Sequence, residues 1–363
     1  MSDWKPEIVT IEKLEKHPNA DALEVATVLG DYPVITKLGQ YTVGEIVGYI
    51  PIDSVCPSTE DFYFLCPKSY EKYEEDGEIK QRQIGNKYTV GNVPEKYRII
   101  KAKKIRNVYS QGMLIKAPEG LKVGDSIVDV IGLEKWEEVE EDNIPNAKKA
   151  RGANQASPPQ GWSIPYYDIE GLRKYISCLN EDEEIVLSEK IHGSNASFCF
   201  DGEKLWVKSR NYYKKMDSDD PWWDVAIRYE LEKKLSKYPM MVFFSELYGN
   251  VKGFRYDCEI INGAMNSKIR FFDIYDASKK RYLDYDPFLE MIKDLGLDAV
   301  PELYRGKWMG KETMYPYANG MTTLGGKHIR EGFVLRTVKE RYEPRLDSRL
   351  IIKMIGEEYN LQK

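Results

Sequence analysis

The chain has 363 residues, 42% of them hydrophobic and 31% charged, with a formal net charge of −6 at pH 7. That length suits about two domains, and the composition is that of a chain able to bury two cores. A negative balance argues against a protein that coats nucleic acid with its whole surface, though not against a local basic groove.

The opening stretch MSDWKPEIVTIEKLEKHPNADALEV is too charged for a signal peptide. No run of about 18 apolar residues occurs, so no transmembrane helix and no membrane partner is expected. The five cysteines, Cys56, Cys66, Cys178, Cys199 and Cys258, are scattered without a C-x-x-C pair. This disfavours a thiolate zinc site and suits reduced thiols in the cytoplasm, or in a host's cytoplasm if the chain is viral. Only three histidines are present, His17, His192 and His328, which disfavours a histidine-rich metal site.

Residues 1–135 read as short strands separated by Gly, Pro and Asn-Asp turns, among them Leu23 to Val28, Tyr32 to Thr36, Glu45 to Tyr49 and Tyr97 to Ile105. Strands at this spacing predict a small β-barrel. The Tyr-, Glu- and Lys-rich stretch near 57–94 lacks clear periodicity and is read as an insertion or long loop. An acidic run, Glu134 to Asp142, leads into a Pro- and Gly-containing stretch, and residues 136–164 are read as a linker.

Residues 165–363 mix strands and helices. Strands are predicted at Ile185 to Ser188, Asn195 to Phe200, Leu205 to Lys208, Met241 to Ser245, Ile269 to Tyr275, Glu331 to Arg336 and Leu350 to Met354. Helices are predicted at Trp222 to Lys237 and Phe288 to Leu295. No strand is followed by a G-x-G-x-x-G or Walker loop, so neither a Rossmann domain nor a P-loop fits.

Within this half the segment SEKIHGSN places Lys190 between two strands. The K-x-x-G pattern has little weight alone, because it recurs at Lys149, Lys307 and Lys353. Its company matters more. Arg210 ends a strand, Glu246 follows a very apolar strand in FSELYG, and Asp273 lies in RFFDI. Glu331 opens EGFVL, and Lys353 sits inside IIKM. A charged residue at one strand edge is normally solvated, but five on consecutive core strands are accounted for together by a shared polar cleft.

This ordered set resembles the motifs of covalent nucleotidyltransferases, the ATP-dependent DNA and RNA ligases and the GTP-dependent RNA capping enzymes. EKIHGSN is similar to the RNA ligase form of the nucleophile motif, with His192 where DNA ligases and capping enzymes commonly have Asp. The resemblance implies that Lys190 becomes linked to AMP. Glu189, Ile191, Gly193, Asn195, Arg210, Glu246, Phe272, Glu331 and Lys353 are then expected to bind ATP or AMP, with Phe272 stacked on adenine. Lys190, Glu246, Glu331 and Lys353 would be catalytic. Glu246, Asp273 and Glu331 would hold Mg2+ or Mn2+ through water. One departure is Ile355, where many RNA ligases have a second Lys; Arg349 and Lys327 are conceivable substitutes.

Lysine must attack phosphorus as a neutral amine, yet its ordinary pKa is about 10.4. Glu246 and Glu331 would raise it, so a cation has to dominate when the nucleotide is bound.

In the first half, KHPNADALEV and IRNVYSQGMLI resemble an OB-fold module of tRNA-binding proteins. Lys101, Lys103, Lys104 and Arg106 form a basic stripe suited to RNA, against the alternative of an edge strand protected by lysines. The expected fold class is therefore α+β, an N-terminal OB-fold β-barrel followed by an antiparallel-sheet nucleotidyltransferase domain of ATP-grasp-like ligase type. That order resembles the fifth class of RNA ligases, which implies sealing of 3′-OH/5′-phosphate nicks in RNA duplexes or RNA–DNA hybrids by a monomer. A GTP-dependent capping guanylyltransferase and a catalytically inactive RNA- or tRNA-binding protein are the alternatives.

Overall fold

The computed structural model describes residues 4–75, 78–136, 155–251, 254–258, 260–261 and 264–362. The chain divides into two compact units, Met1–Glu137 and Glu138–Gln362. Most of the stretch expected to be a linker, 137–154, lies outside the described residues.

The first unit is a small barrel. Strand Ile46–Ile50 pairs antiparallel with Glu7–Thr10 on one side and Met113–Lys116 on the other. Lys13–Lys16, Leu23–Val28 and Tyr32–Lys37 form a second three-stranded sheet. The Gln111 amide donates to the Pro33 carbonyl at 2.9 Å, and the Ile35 amide donates to Ser110 Oγ at 3.0 Å, which ties this second sheet to the segment that leads into Met113–Lys116. Alternation along Leu23–Val28 sends Ala26 and Val28 inward to Val9, Ile11, Val34, Val47 and Leu114.

Two expectations for this unit change. Tyr97 to Ile105 is not one strand: a helical turn, Glu95–Arg98, precedes a short strand, Lys103–Ile105. The stretch read as an insertion or long loop contains a 3-10 turn, Glu60–Leu65, and a hairpin of Lys68–Glu75 with Glu78–Asn86. Both hairpin strands are largely exposed, so no hydrophobic face marks them in the sequence.

The second unit is built on two five-stranded sheets. One runs Glu170–Gly171, Ile351–Ile355, Gly332–Thr337, Glu184–Lys190, Glu302–Lys307. The other runs Leu205–Ser209, Ser194–Phe200, Met241–Tyr248, Lys268–Asp276, Arg281–Tyr282. All neighbours are antiparallel except Glu170–Gly171 on Ile351–Ile355. Central strands read as continuous apolar runs because both of their faces are covered; Ile185, Val186 and Leu187 in a row have no exposure.

Helices Pro221–Arg228, Leu231–Leu235 and Tyr285–Asp294 contribute Val225, Leu231, Leu235 and Phe288 to the core shared with Phe198, Phe243 and Phe271. Asp220 caps the first of these by accepting from the amides of Trp222 and Trp223, with Pro221 at the opening position. The single helix expected over Trp222 to Lys237 is broken at Glu230, whose φ of 53° lies in the left-handed region. The end of the expected linker is ordered. Ile164 is buried, its amide donating to the Tyr213 hydroxyl at 2.7 Å.

Candidate active site

Lys190 is the last residue of its strand, and Ser194 begins the first strand of the other sheet. Three residues therefore carry the chain from sheet to sheet. Gly193 makes this possible: a Cβ there would stand 2.3 Å from the Leu247 carbonyl oxygen and 3.0 Å from Glu246 Cγ. The crossing brings Lys190 beside the strand that carries Glu246, which is in register with Asn195 and Arg270.

On the other side Lys190 is in register with Gly332. A Cβ on Gly332 would fall 1.9 Å from the Met354 carbonyl oxygen, so glycine is required for the strands to close up. Glu331, just before it, reaches back, and its Oε2 lies 2.7 Å from Lys190 Nζ. Lys353 is opposite Val334, as is Ser188, so Lys353 and Lys190 share one face of the sheet.

Burial pulls the Lys190 amine down, but Glu331 and Glu246 overcome it and leave its pKa above the ordinary lysine value. Burial pushes Glu331 up, and Lys190, His192 and Lys353 outweigh that to hold its carboxyl below the usual range. The resting pair is thus ammonium and carboxylate. Arg210 opposes the rise at Lys190. Its guanidinium is itself held by Asp168 at 2.9 Å and the Tyr166 hydroxyl at 3.0 Å.

His192 Nδ1 is 2.7 Å from the Tyr359 hydroxyl and 4.0 Å from Glu331 Oε2. Its amide donates to the Tyr256 hydroxyl at 2.9 Å. Tyr359 belongs to the closing helix Glu357–Gln362, and nothing in the sequence connects it to the site. Tyr256, Asp168 and Tyr166 were equally invisible, because each acts as an isolated side chain from a loop or short strand.

Glu189 precedes Lys190 and faces the opposite way. Its carboxylate accepts from Thr322 Oγ1 at 2.5 Å, the Thr323 amide at 2.8 Å and Thr323 Oγ1 at 2.6 Å. Ile191 is buried with Tyr248, Tyr256 and Val300, and half-buried Phe272 packs at the edge of that cluster. Phe272 sits at a β-bulge, since Phe244 is opposite Asp273 while Ser245 is opposite Phe271.

Asp273 does not join Glu246 and Glu331. It is fully buried in a closed network with Arg336 at 3.1 Å, Arg349 at 2.6 Å and the Tyr167 hydroxyl at 2.8 Å. Arg349 is thereby committed, also to Glu340, and does not stand in for the second lysine missing at Ile355. Lys327 is exposed. Among the described residues no cluster of three or more His, Cys, Asp or Glu forms a direct metal cage. Glu246 and Glu331 are the acidic pair on Lys190, a donor set that suits a magnesium-like ion retaining most of its water.

In the first unit, Lys101, Lys103, Lys104 and Arg106 are all exposed. The last three lie on a hairpin turning at Arg106-Asn107, where both φ values are positive. Asn19 Nδ2 donates to the Arg106 carbonyl at 2.9 Å, and His17 Nε2 lies 3.1 Å from the Ile105 carbonyl. The two sequence segments that resembled an OB module thus meet at this turn.

The family model for RNA ligase matches residues 183–355. An OB-fold domain model matches residues 7–90. A search of curated protein sequences gives no match. Among solved structures, an apo variant of Naegleria gruberi RNA ligase is 20% identical with a TM-score of 0.73, over 99% of this chain and 98% of that one. A second variant of the same ligase, with ATP and Mn, is 21% identical with a TM-score of 0.73, over 99% of each chain. A third, with AMP and Mn, is 19% identical with a TM-score of 0.72, over 99% of each chain. At such identities the likeness is one of fold: an OB barrel and a sheet-rich ligase domain. No helix among the described residues is long and apolar enough to cross a membrane.

Proposed function

We propose that the chain is an ATP-dependent RNA ligase that seals 3′-OH/5′-phosphate ends, at nicks in duplex RNA or RNA–DNA hybrid. The observation that carries this reading is the half-buried Lys190–Glu331 pair at the crossing between two sheets, with Glu246 and Lys353 beside it. A lysine so held is silent until another cation takes over Glu331. It is then a neutral nucleophile in a site that already carries positive charge from Lys353 and Arg210.

Lys190 Nζ would attack the α-phosphorus of ATP, forming the N–P bond as the bond to the bridging oxygen breaks and pyrophosphate leaves. An oxygen of the RNA 5′-phosphate would next attack the AMP phosphorus, giving RNA-adenylate and returning the amine. The 3′-hydroxyl would then attack the 5′-phosphorus, joining the ends and releasing AMP. Glu246 and Glu331 would hold a divalent ion through its water, which when bound supplies charge neutralisation at the phosphates. Lys353 would bind the α-phosphate oxygens. Phe272, re-aimed by its bulge, would offer a face to adenine. Lys103, Lys104 and Arg106 would contact RNA phosphates.

Nicked duplexes with RNA or DNA on each side of the break test the substrate assignment. Sealing is expected to require ribonucleotides on the 3′-OH side, and equal sealing of all-DNA nicks would overturn it. A protein labelled by GTP but not by ATP would favour the capping reading instead.

A further inference from the structure

The exposed hairpin of Lys68–Glu75 and Glu78–Asn86 has at its root two tyrosines that the ligation chemistry does not use. Tyr88 follows the second strand, and Tyr97 lies on the helical turn Glu95–Arg98. Their ring centroids are 5.6 Å apart, with the planes tilted by 37°. Both residues are half-buried, and Lys87 and Lys96 beside them are exposed. Lys87 Nζ stands 5.9 Å from the centroid of the Tyr88 ring, and Lys96 Nζ stands 5.0 Å from that of Tyr97.

The backbone beneath this cluster is pinned. The Lys87 amide donates to the Pro67 carbonyl at 2.8 Å, and the Tyr63 hydroxyl donates to the Tyr88 carbonyl at 2.7 Å. Arg98 anchors the helical turn, its guanidinium donating to the carbonyls of Val93 and Cys56. Hydrogen bonding with Tyr88 holds the Tyr97 hydroxyl below its usual pKa range against a smaller effect of desolvation, and Lys96 and Lys87 add to the fall. The two hydroxyls and two ammonium groups therefore act on one place. Surroundings that favour a phenolate oxygen favour any anionic oxygen brought there.

We propose that this cluster binds one phosphodiester of an RNA strand, its two non-bridging oxygens taken between the hydroxyls of Tyr88 and Tyr97 and the ammonium groups of Lys87 and Lys96. Each hydroxyl and each ammonium can donate, and the lysines supply the opposite charge. Contacts of this kind fix the position of a strand without reading its bases. The helical turn leads through residues 99–102 into the strand Lys103–Ile105, which carries exposed Lys103 and Lys104. One stretch of chain thus offers the strand both the tyrosine–lysine cluster and the basic stripe. The inference rests on the reading of this chain as acting on RNA.

The test measures binding of the full-length protein to a single-stranded oligouridylate, without ATP or metal, over a range of salt. Replacing Lys87 and Lys96 together by Ala should flatten the plot of log affinity against log salt by about 0.7, the share of one phosphate contact on a single strand. Replacing Tyr88 and Tyr97 together by Phe keeps the rings and removes the hydroxyls. It should weaken binding about tenfold at every salt and leave the slope unaltered, as hydrogen bonds to a charged group would. Melting curves report the integrity of both variants. An unchanged slope in the lysine variant, or an unchanged affinity in the tyrosine variant, overturns the proposal. Displacement of the RNA by inorganic phosphate at matched ionic strength also overturns it, making the ligand a free phosphate. Self-adenylylation by ATP alone is measured on the same variants and should keep the wild-type rate. A chain that fails to adenylylate yet shows both binding responses loses the ligase reading and not this one.

Discussion

Replacing Asp273 by Asn separates a structural carboxylate from a metal-binding one. Asp273 has no exposure, and its partners Arg336 and Arg349 have side chains 3% and 12% exposed. Asn keeps the shape and removes the charge, leaving two buried guanidinium groups with Glu340 as their remaining carboxylate. Breaking a buried ion pair from one side costs about 3–5 kcal/mol. In a unit of this size each 1 kcal/mol lowers Tm by about 2–4 °C, so the ligase transition should fall by about 6–20 °C. Calorimetry of the full chain measures that shift. Self-adenylylation well below the melt, titrated with Mn2+, measures the other quantity, and its half-saturating concentration should stay within about twofold. An unchanged Tm together with a strongly raised Mn2+ requirement would refute the reasoning and return Asp273 to the metal.

Glu331→Gln removes the carboxylate that raises Lys190, and burial, the opposing influence, then lowers the amine's pKa. Acylation of Lys190 by an amine-selective reagent at mildly alkaline pH should rise while self-adenylylation falls by about 100-fold or more, on the scale of a lost catalytic electrostatic contact; a fall in acylation would contradict the charge balance. Because the wild-type amine is held above its ordinary value, self-adenylylation at limiting metal should increase with pH through the neutral range, and a rate that declines there would oppose it. Tyr359→Phe deletes the hydrogen bond to His192, worth about 0.5–1.5 kcal/mol. Adenylylation should slow about 2- to 10-fold, with no further slowing in a His192→Ala background, where additive losses would show Tyr359 acting elsewhere.

The strands around the site were legible because buried strands are apolar runs and their polar interruptions mark where the runs reach the cleft. Order along the chain, however, does not say which way a side chain faces. Successive residues of a strand face opposite sides, so Lys190 and Glu189 could not both enter one cleft. The bulge at Phe272 is set by pairing with a strand some 27 residues away in sequence, and no local signal reports it. Tyr359 and His192 are 167 residues apart and meet only through the fold. The exposed hairpin of 68–86 escaped notice for the opposite reason: without a buried face it has no alternation to read.

Intact-protein mass spectrometry after incubation with ATP and Mg2+, without RNA, tests the central claim most directly. The wild-type chain should gain the mass of one AMP, located by peptide mapping to Lys190, and Lys190→Ala should gain none. An AMP adduct persisting in Lys190→Ala, or an adduct formed from GTP and not from ATP, would contradict the account.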